Sequence, residues 1–305
     1  MQTTLKSDVI FEGTGLHSGE AVRVVLHPAS ANTGIVFRRT DVAGFPTLLA
    51  DFRDVIVSPL NTRLSNADGV TVSTIEHLMA ALAGCGVHNA LIDIDGPEVP
   101  ILDGSAASFV RGIVKAGLTR LSAPLRAIEI LREVEVSDGD ATAKLAPATT
   151  LQIDFEIEFK DAAIGRQKKT LNMANGAFVR ELCDSRTFCR SADVDAMHAN
   201  GLALGGSVEN AVVVDGDKVL TPGGLRHADE AVRHKMLDAL GDLYTAGAPI
   251  LGRYTGSRAG HAMTNKLLRA LFDQPDAWRF VQCDVKIAAR LPGVGVSAAD
   301  LDAVA

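Results

Sequence analysis

The stretch ADEAVRHKMLDALGDLYTAGA, Ala228–Ala248, decides the fold because it predicts a helix of about five turns with two different faces. One broad face is apolar, and we expect it to be buried: Val232, Met236, Leu237, Leu240, Leu243 and Tyr244. His234, Asp238 and Asp242 follow one another four residues apart and form a separate polar stripe. A histidine and a carboxylate one turn apart can reach the same metal ion, although such a stripe is more often a solvated helix face.

Length and composition set the class of protein. The chain has 305 residues and 47% hydrophobic content, which predicts two domains that each bury a core. Lysine and arginine number 30 against 37 aspartate and glutamate, and the resulting net charge of −7 excludes a nucleic-acid partner. The four cysteines form no CxxC pair, so we expect reduced thiols in a cytoplasmic protein. We expect no targeting leader and no integral membrane segment, because no long apolar run is present.

The order of elements repeats in the two halves of the chain, as several strands followed by a helix, a strand and a second helix. This order predicts an α+β protein of two similar domains, each a β-sheet covered by a helix pair. We place the domains at residues 1–120 and 125–305, joined by a linker at Gly117–Pro124. The segment Ser191–Leu220 has no counterpart in the first half and is interpreted as an insertion.

Hydrophobic periodicity and turn residues define the predicted elements. Strands are expected at Thr3–Glu12, Ala21–His27, Gly34–Arg39, Asn89–Asp95, Arg126–Val136, Ala141–Leu145, Leu151–Phe159, Lys168–Met173 and Ile250–Tyr254. Besides Ala228–Ala248, helices are expected at Thr74–Ala83 after a Ser73-Thr74 N-cap, from Gly104-Ser105 to about Lys115, at Asn175–Leu182 and from about Ala259 to Phe272.

A metal site is possible if the first helices of the two domains meet. Glu76 and His77 lie in the first turn of the helix of the first domain. Two imidazoles and one carboxylate form a common catalytic zinc shell, so His77 could join His234 and Asp238. Glu76 would then be placed to take a proton from water, although the HExxH spacing of zinc peptidases is absent. His261 opens the last helix and is either a second acid/base or a histidine that faces solvent.

Several stretches of the chain, taken together and in order, resemble the signature stretches of the UDP-3-O-acyl-N-acetylglucosamine deacetylases. These stretches are Gly13-Thr14-Gly15-Leu16-His17, Ser73-Thr74-Ile75-Glu76-His77-Leu78, Asp103-Gly104-Ser105-Ala106, Ser185-Arg186-Thr187-Phe188, Val232-Arg233-His234-Lys235-Met236-Leu237-Asp238 and Gly260-His261. The resemblance covers nearly the whole chain, and several motifs in one order are far more specific than any single motif.

The resemblance implies a fold and a cofactor. The family packs two α+β domains with their helices sandwiched between the two sheets, as the repeat predicts. It holds one catalytic zinc ion, which the resemblance assigns here to His77, His234 and Asp238. Iron(II) could occupy the same ligands, since imidazole and carboxylate bind both metals.

The resemblance also implies roles for the remaining polar residues. Glu76 resembles the general base, and His261 resembles the opposing acid that stabilises charge. Thr187 resembles the hydroxyl that helps to hold the oxyanion, and Asp242 the carboxylate that orients His261 and keeps it protonated. Lys235 resembles a cation that contacts substrate. Either His261 or Glu76 protonates the departing amine, and the sequence leaves that choice open.

The implied substrate is UDP-3-O-(3-hydroxyacyl)-N-acetylglucosamine, whose N-acetyl group is hydrolysed in the committed step of lipid A biosynthesis in Gram-negative bacteria. We expect a monomer, with Arg258 and Lys235 supplying positive charge for the diphosphate. The insertion would form an apolar passage for the acyl chain. The candidate lining residues of this passage are Phe188, Leu202, Leu204, Gly206 and Val212–Val214. The alternative for these residues is ordinary packing in the core.

One departure and two alternatives accompany this interpretation. Some members carry a cysteine able to bind a second, inhibitory metal where this chain has Asn61 and Arg63, so we do not expect that inhibition here. A non-catalytic lipid or nucleotide-sugar binder would be expected to lose Glu76 or a metal ligand, and none is lost. A zinc deacetylase for a different acyl-sugar remains compatible with the sequence.

Overall fold

Mixed β-sheets and helices make up both halves of the chain in the computed structural model, which describes residues 1–58 and 60–303. In the first half the elements are β1 (Thr3–Leu5), β2 (Val9–Thr14), β3 (Ala21–Pro28), β4 (Ile35–Arg39), β5 (Thr47–Leu49), β6 (Val55–Ile56), β7 (Arg63–Ser65), β8 (Thr71–Val72), α1 (Glu76–Cys85), β9 (Ala90–Ile94), α2 (Ala107–Ala116) and β10 (Leu118–Arg120).

The second half repeats this mixture with longer strands. Its elements are β11 (Arg126–Ile130), β12 (Val134–Asp138), β13 (Ala141–Pro147), β14 (Leu151–Glu158), β15 (Arg166–Asn172), α3 (Ala177–Glu181), β16 (Phe188–Arg190), α4 (Ser191–Ala199), β17 (Val212–Asp215), β18 (Lys218–Val219), α5 (Glu230–Tyr244), β19 (Ile250–Ser257), α6 (His261–Phe272), β20 (Trp278–Gln282) and α7 (Val285–Ala288).

One main sheet forms in each half. The first has the order β2-β3-β9-β4-β5, with β9 parallel to β4 and the other pairs antiparallel. In the second, β19 is central and pairs with β13 in antiparallel and with β11 and β14 in parallel orientation. Strand β14 alternates buried and half-exposed residues along its length, as expected for a sheet with one covered face. Smaller sheets are formed by β6-β7-β8 and by β16-β17-β18.

Helices α1 and α5 pack directly against each other and join the two halves. All ten residues of α1 are buried, and α5 is buried around nearly its whole circumference. The close approach requires Gly241, because a Cβ atom there would lie 2.0 Å from the carbonyl oxygen of Glu76. Most buried apolar residues of the two halves form one continuous core, and a second, small cluster contains Leu125, Ala127, Leu251 and Leu291. The predicted α+β fold is confirmed.

The burial of α5 decides between the two interpretations of its polar stripe. His234, Asp238 and Asp242 are 2%, 4% and 5% exposed, so the interpretation of this stripe as a solvated helix face is wrong. Buried polar side chains are costly unless they are paired, so this stripe needs hydrogen-bond partners or a bound ligand.

Long-range pairing changes several predicted boundaries. The strand expected at Thr3–Glu12 is two strands, because β1 pairs with β10 while β2 pairs with β3. The expected linker Gly117–Pro124 therefore contains a strand. The single strand expected at Arg126–Val136 is also divided, into β11 and β12, which join different neighbours in the sheet. The sequence analysis did not predict β20 or α7.

The predicted Ser73-Thr74 N-cap is wrong. Helix α1 begins at Glu76, and no side chain caps its first turn. Thr74 instead has a φ of 55°, and its hydroxyl donates to Glu98 Oε1 at 2.7 Å. The charged partner competes successfully with the helix terminus for that hydroxyl.

The domain boundaries at residues 120 and 125 stay a prediction, and residues 304–305 of the second domain lie outside the described residues. The segment Ser191–Leu220 contains α4, β17 and β18. None of the helices in the described ranges combines the length and the apolar character needed to cross a membrane.

Candidate active site

Three buried side chains from α1 and α5 converge where the two helices cross. The ligand atoms of His77, His234 and Asp238 all lie within 4.8 Å of one another. Asp238 Oδ1 is 3.6 Å from His77 Nε2 and 3.3 Å from His234 Nε2. Atoms that bind one tetrahedral ion at about 2.0–2.1 Å lie roughly 3.3 Å apart, so these separations suit a shared metal.

The electronic state of these atoms also suits a metal. His234 Nδ1 lies 3.0 Å from the carbonyl oxygen of Ser185, to which it must donate, so Nε2 keeps its lone pair. Burial lowers the pKa of His234 to about 4, which keeps the ring neutral. Asp238 Oδ1 is a buried carboxylate oxygen with no hydrogen-bond partner among the described residues. An ionised oxygen left in this state is costly unless a cation occupies the space beside it.

A buried ion pair explains why the segment Ser185–Phe188 reaches this site. Glu230, in the first turn of α5, accepts from Arg186 Nε at 2.9 Å and from the Arg186 backbone N–H at 3.0 Å. Burial opposes ionisation of Glu230, but Arg186 outweighs it and lowers the Glu230 pKa. The Arg186–Glu230 ion pair holds this segment so that the carbonyl of Ser185 contacts His234, and Thr187 and Phe188 line the adjoining cleft.

Glu76 lies beside the ligands without joining them. Its side chain is 4% exposed, and its Oε1 is 3.9 Å from His261 Nε2. Burial raises the pKa of Glu76 above that of an ordinary carboxyl. A carboxylate with a raised pKa next to the metal ligands is suited to accept a proton.

His261 is the first residue of α6 and is paired with Asp242 of α5. Its Nδ1 donates to Asp242 Oδ2 at 2.9 Å, and its Nε2 is 3.9 Å from Asp238 Oδ2. Burial and the positive end of a helix both oppose a charged imidazole. The carboxylates of Asp242 and Glu76 outweigh them and raise the pKa of His261 to about 9. His261 is therefore protonated at neutral pH. Its side chain is only 12% exposed, which decides against the solvent-facing interpretation.

Lys235 contacts Asp238, one of the three residues of the cluster. Its Nζ donates to Asp238 Oδ2 at 2.6 Å, which leaves Oδ1 for a metal. Burial opposes the charge on Lys235, yet Asp238 raises its pKa. The pKa of Asp238 is held well below its usual value, because the positive charges of Lys235 and His261 outweigh the effect of burial. Lys235 also lines the cleft, so it can touch a ligand bound there.

A cleft of about 690 Å³ opens onto these groups. Part of its lining is polar and includes Thr187, Lys235 and His261. Much of the rest is apolar and comes largely from the insertion and its neighbours: Phe188, Val194, Met197, Gly206, Val208, Ala211 and Val213. The cleft therefore joins the buried polar cluster to an apolar surface.

Three residues predicted to contact substrate are not part of the cleft lining. Arg258 does not line the cleft, and its guanidinium pairs with Glu158 and, at 3.2 Å, with Asp140. The side chain of Arg258 and both carboxylates are exposed, so the contact predicted between Arg258 and the diphosphate stays a prediction. Leu202 and Leu204 are also absent from the lining, and Leu204 is 54% exposed.

The sequence analysis quoted His17 but gave it no role, and it missed Glu98. His17 lines the cleft, and its buried Nε2 has no partner among the described residues. Glu98 accepts from the backbone N–H of His17 at 3.0 Å and from the Thr74 hydroxyl. This carboxylate thereby fixes the loop that carries His17 against the start of α1. The motif that ends at His17 was a sequence signal for His17, whereas Glu98 lies in none of the quoted motifs.

Comparison with known proteins gives one consistent result. The family model described as UDP-3-O-acyl N-acetylglycosamine deacetylase matches residues 2–273. A relative named UDP-3-O-acyl-N-acetylglucosamine deacetylase from Phenylobacterium zucineum is 53% identical over 279 residues, which cover 91% of this chain and 95% of the relative. Relatives of the same name from Shewanella sp. strain ANA-3 and Shewanella oneidensis are 45% identical over 303 and 298 residues, or 97% and 96% of this chain and 99% and 97% of theirs.

These matches extend over both main sheets, both central helices and the insertion. They agree with the geometry of a buried two-histidine, one-carboxylate cluster that opens onto a half-apolar cleft. The chain belongs to the UDP-3-O-acyl N-acetylglycosamine deacetylase family.

Proposed function

We propose that this chain hydrolyses the N-acetyl group of UDP-3-O-(3-hydroxyacyl)-N-acetylglucosamine and releases acetate, the committed step of lipid A biosynthesis. Family membership supports the reaction and the substrate class. The observation that carries the proposal in the structure is the unpaired Asp238 Oδ1, which faces two imidazole nitrogens beside a buried acid/base pair.

His77, His234 and Asp238 would hold the metal, with zinc as the proposed ion and iron(II) as the alternative. A bound zinc ion would act as a Lewis acid that lowers the pKa of a coordinated water to about 7. Lys235 donates to Asp238 Oδ2 and so would leave Asp238 Oδ1 as the oxygen that binds the metal.

Glu76 would act as the general base. Its buried carboxylate, with a raised pKa, takes one proton from the attacking water. The water oxygen forms a bond to the acetyl carbon, and the carbonyl oxygen gains negative charge. The Thr187 hydroxyl and the protonated His261 Nε2 would stabilise that oxyanion from the wall of the cleft.

Breakdown then separates acetate from the sugar amine. The carbon–nitrogen bond breaks as the nitrogen receives a proton, from His261 Nε2 or from the proton that Glu76 has taken up. Asp242 would hold the His261 Nδ1 proton and stabilise the imidazolium before transfer. The two donors lie 3.9 Å apart, so both are near the same reacting nitrogen.

The rest of the cleft would bind the substrate. The apolar part of its lining, with Phe188 and Gly206, suits an acyl chain. Lys235 and Arg190 also line the cleft and can supply positive charge. Each is paired with an aspartate, Arg190 with Asp161 and Lys235 with Asp238, and we assign the contact with the UDP-sugar to Lys235 because it lies beside the proposed metal ligands. We further propose a monomer that acts in the cytoplasm, where the four free cysteines would stay reduced.

The test combines acetate release with metal analysis of the purified protein. We expect about one metal ion per chain and acetate release from the acylated UDP-sugar. A parallel assay with other N-acetylated acyl-sugars separates this function from a deacetylase of different specificity. A protein with full metal and no acetate release from any of them would favour the non-catalytic binder instead.

A further inference from the structure

We propose that Thr62 is a positioning residue that holds the general base and the acid–carboxylate pair in one fixed arrangement. The inference deepens the proposed function and rests on it. Thr62 lies in the first half of the chain, at the entry to β7, and is 3% exposed. Neither its position in sequence nor its residue type marks it as functional.

Thr62 bonds to both catalytic carboxylates at once. Its backbone N–H donates to Glu76 Oε2 at 3.0 Å. Its hydroxyl donates to Asp242 Oδ1 at 2.5 Å, across the boundary between the two halves. With the contact of Asp242 to His261 and the approach of His261 to Glu76, these bonds close a ring of four residues.

The ring divides the oxygens of the two carboxylates between different partners. Asp242 uses Oδ2 for His261 and Oδ1 for Thr62, so neither oxygen is left free. Glu76 uses Oε2 for Thr62, which leaves Oε1 facing His261 and the metal ligands. Because a carboxylate with a partner on each oxygen cannot rotate without breaking a bond, the hydroxyl fixes the direction from which Asp242 holds His261.

Neighbouring contacts hold Thr62 itself in place. Asn61 Nδ2 donates to the Thr74 hydroxyl at 2.9 Å, and Arg63 Nε donates to the Ser73 hydroxyl at 2.8 Å. Both contacts fasten the segment to the residues just before α1. The position of Thr62 is therefore set by the helix that carries Glu76, and its hydroxyl extends that frame to α5.

The experiment compares Thr62→Val, which keeps the shape and removes the hydroxyl, with Thr62→Ser, which restores it. We expect Thr62→Val to lower kcat by about tenfold to a hundredfold, the range for losing a hydrogen bond to a charged group. KM and bound metal should stay at parent values, and Thr62→Ser should recover most of kcat. Thr4→Val is the matched control, because Thr4 is equally buried and its hydroxyl donates to the carbonyl of Asn89, away from the site.

A cycle with Asp242→Ala tests whether the hydroxyl acts through Asp242. In that background Thr62→Val should change kcat little, since the acceptor is already gone. Additive losses would overturn the proposal, as would an unchanged kcat in Thr62→Val alone. A Thr62→Val protein that has lost metal or fold would assign the hydroxyl to stability and overturn it as well.

Proton NMR supplies a measurement that does not need activity. The Nδ1 proton of His261, bonded to Asp242, should give a downfield resonance in the parent and in Thr62→Ser. It should shift or broaden in Thr62→Val, and an identical resonance would overturn the proposal. If the parent releases no acetate, the proposed function fails while this resonance still decides the role of Thr62.

Discussion

Replacing Asp242 by asparagine tests the electrostatic core of the mechanism. The change keeps the size of the side chain and removes the charge that lies 2.9 Å from His261 Nδ1. In the parent, burial opposes the imidazolium, but Asp242 and then Glu76 raise the His261 pKa to about 9. The protonated form is therefore present below about pH 9 and is lost as the pH rises through it. We expect kcat/KM to fall along the same basic limb.

The magnitude follows from the difference between about 9 and the ordinary imidazole value of 6.5. That difference corresponds to about 3.4 kcal/mol, most of which we assign to Asp242 because its charge raises the His261 pKa more than that of Glu76 does. If the His261 pKa in Asp242→Asn returns to about 6.5, the protonated fraction near pH 8 falls about 30-fold. Near pH 6 the same change lowers it less than about twofold, since both proteins are then mostly protonated.

The assay is kcat/KM for acetate release across the pH range, for parent, Asp242→Asn and His261→Ala, with bound metal measured in each. The acid limb belongs to Glu76 and the metal site together and should move less. A basic limb that stays near pH 9 in Asp242→Asn at full metal content would refute the reasoning. The proton would then come off another group, with Lys235 the next candidate.

Four further outcomes follow from the site and its packing. His234→Ala should lower bound metal and activity together, and full occupancy by mass spectrometry would contradict its role as a ligand. Glu76→Ala should keep its metal and lose about 10²–10⁴-fold in rate, as expected for a missing general base. Gly241→Ala places a Cβ atom 2.0 Å from the carbonyl of Glu76 and should cost about 1–3 kcal/mol in unfolding free energy and weaken metal binding; an unchanged melting temperature would count against the α1–α5 contact. Val213→Phe should raise KM for long acyl chains more than for short ones, and equal effects would place the chain outside this cleft.

Local pattern was sufficient for much of this protein. The apolar face of α5 and the alternation of β14 follow from periodicity, and both elements form close to where the sequence predicts them. The order of the motifs was sufficient for the family. Their residues also identified the cluster of His77, His234 and Asp238 that the structure brings together.

Long-range competition decided what local pattern missed. The Thr74 hydroxyl was a reasonable helix cap, but the charged oxygen of Glu98 offers it a stronger partner. Arg258 was predicted to contact the diphosphate, and only the structure shows that its guanidinium also pairs with Glu158 and Asp140. In each case the deciding partner lies far away in sequence, and no local pattern indicates it.

The site itself exists only in the tertiary structure. The sequence determined which side chains have the chemistry, while the packing of α1 against α5 at Gly241 determined that they share one buried space. That packing also brings Asp242 and Glu76 close to His261, and their charges raise the pKa of His261 although burial opposes it. Burial and charge proximity are properties of atoms brought together from both halves of the chain, which is why the sequence could name the residues but not their state.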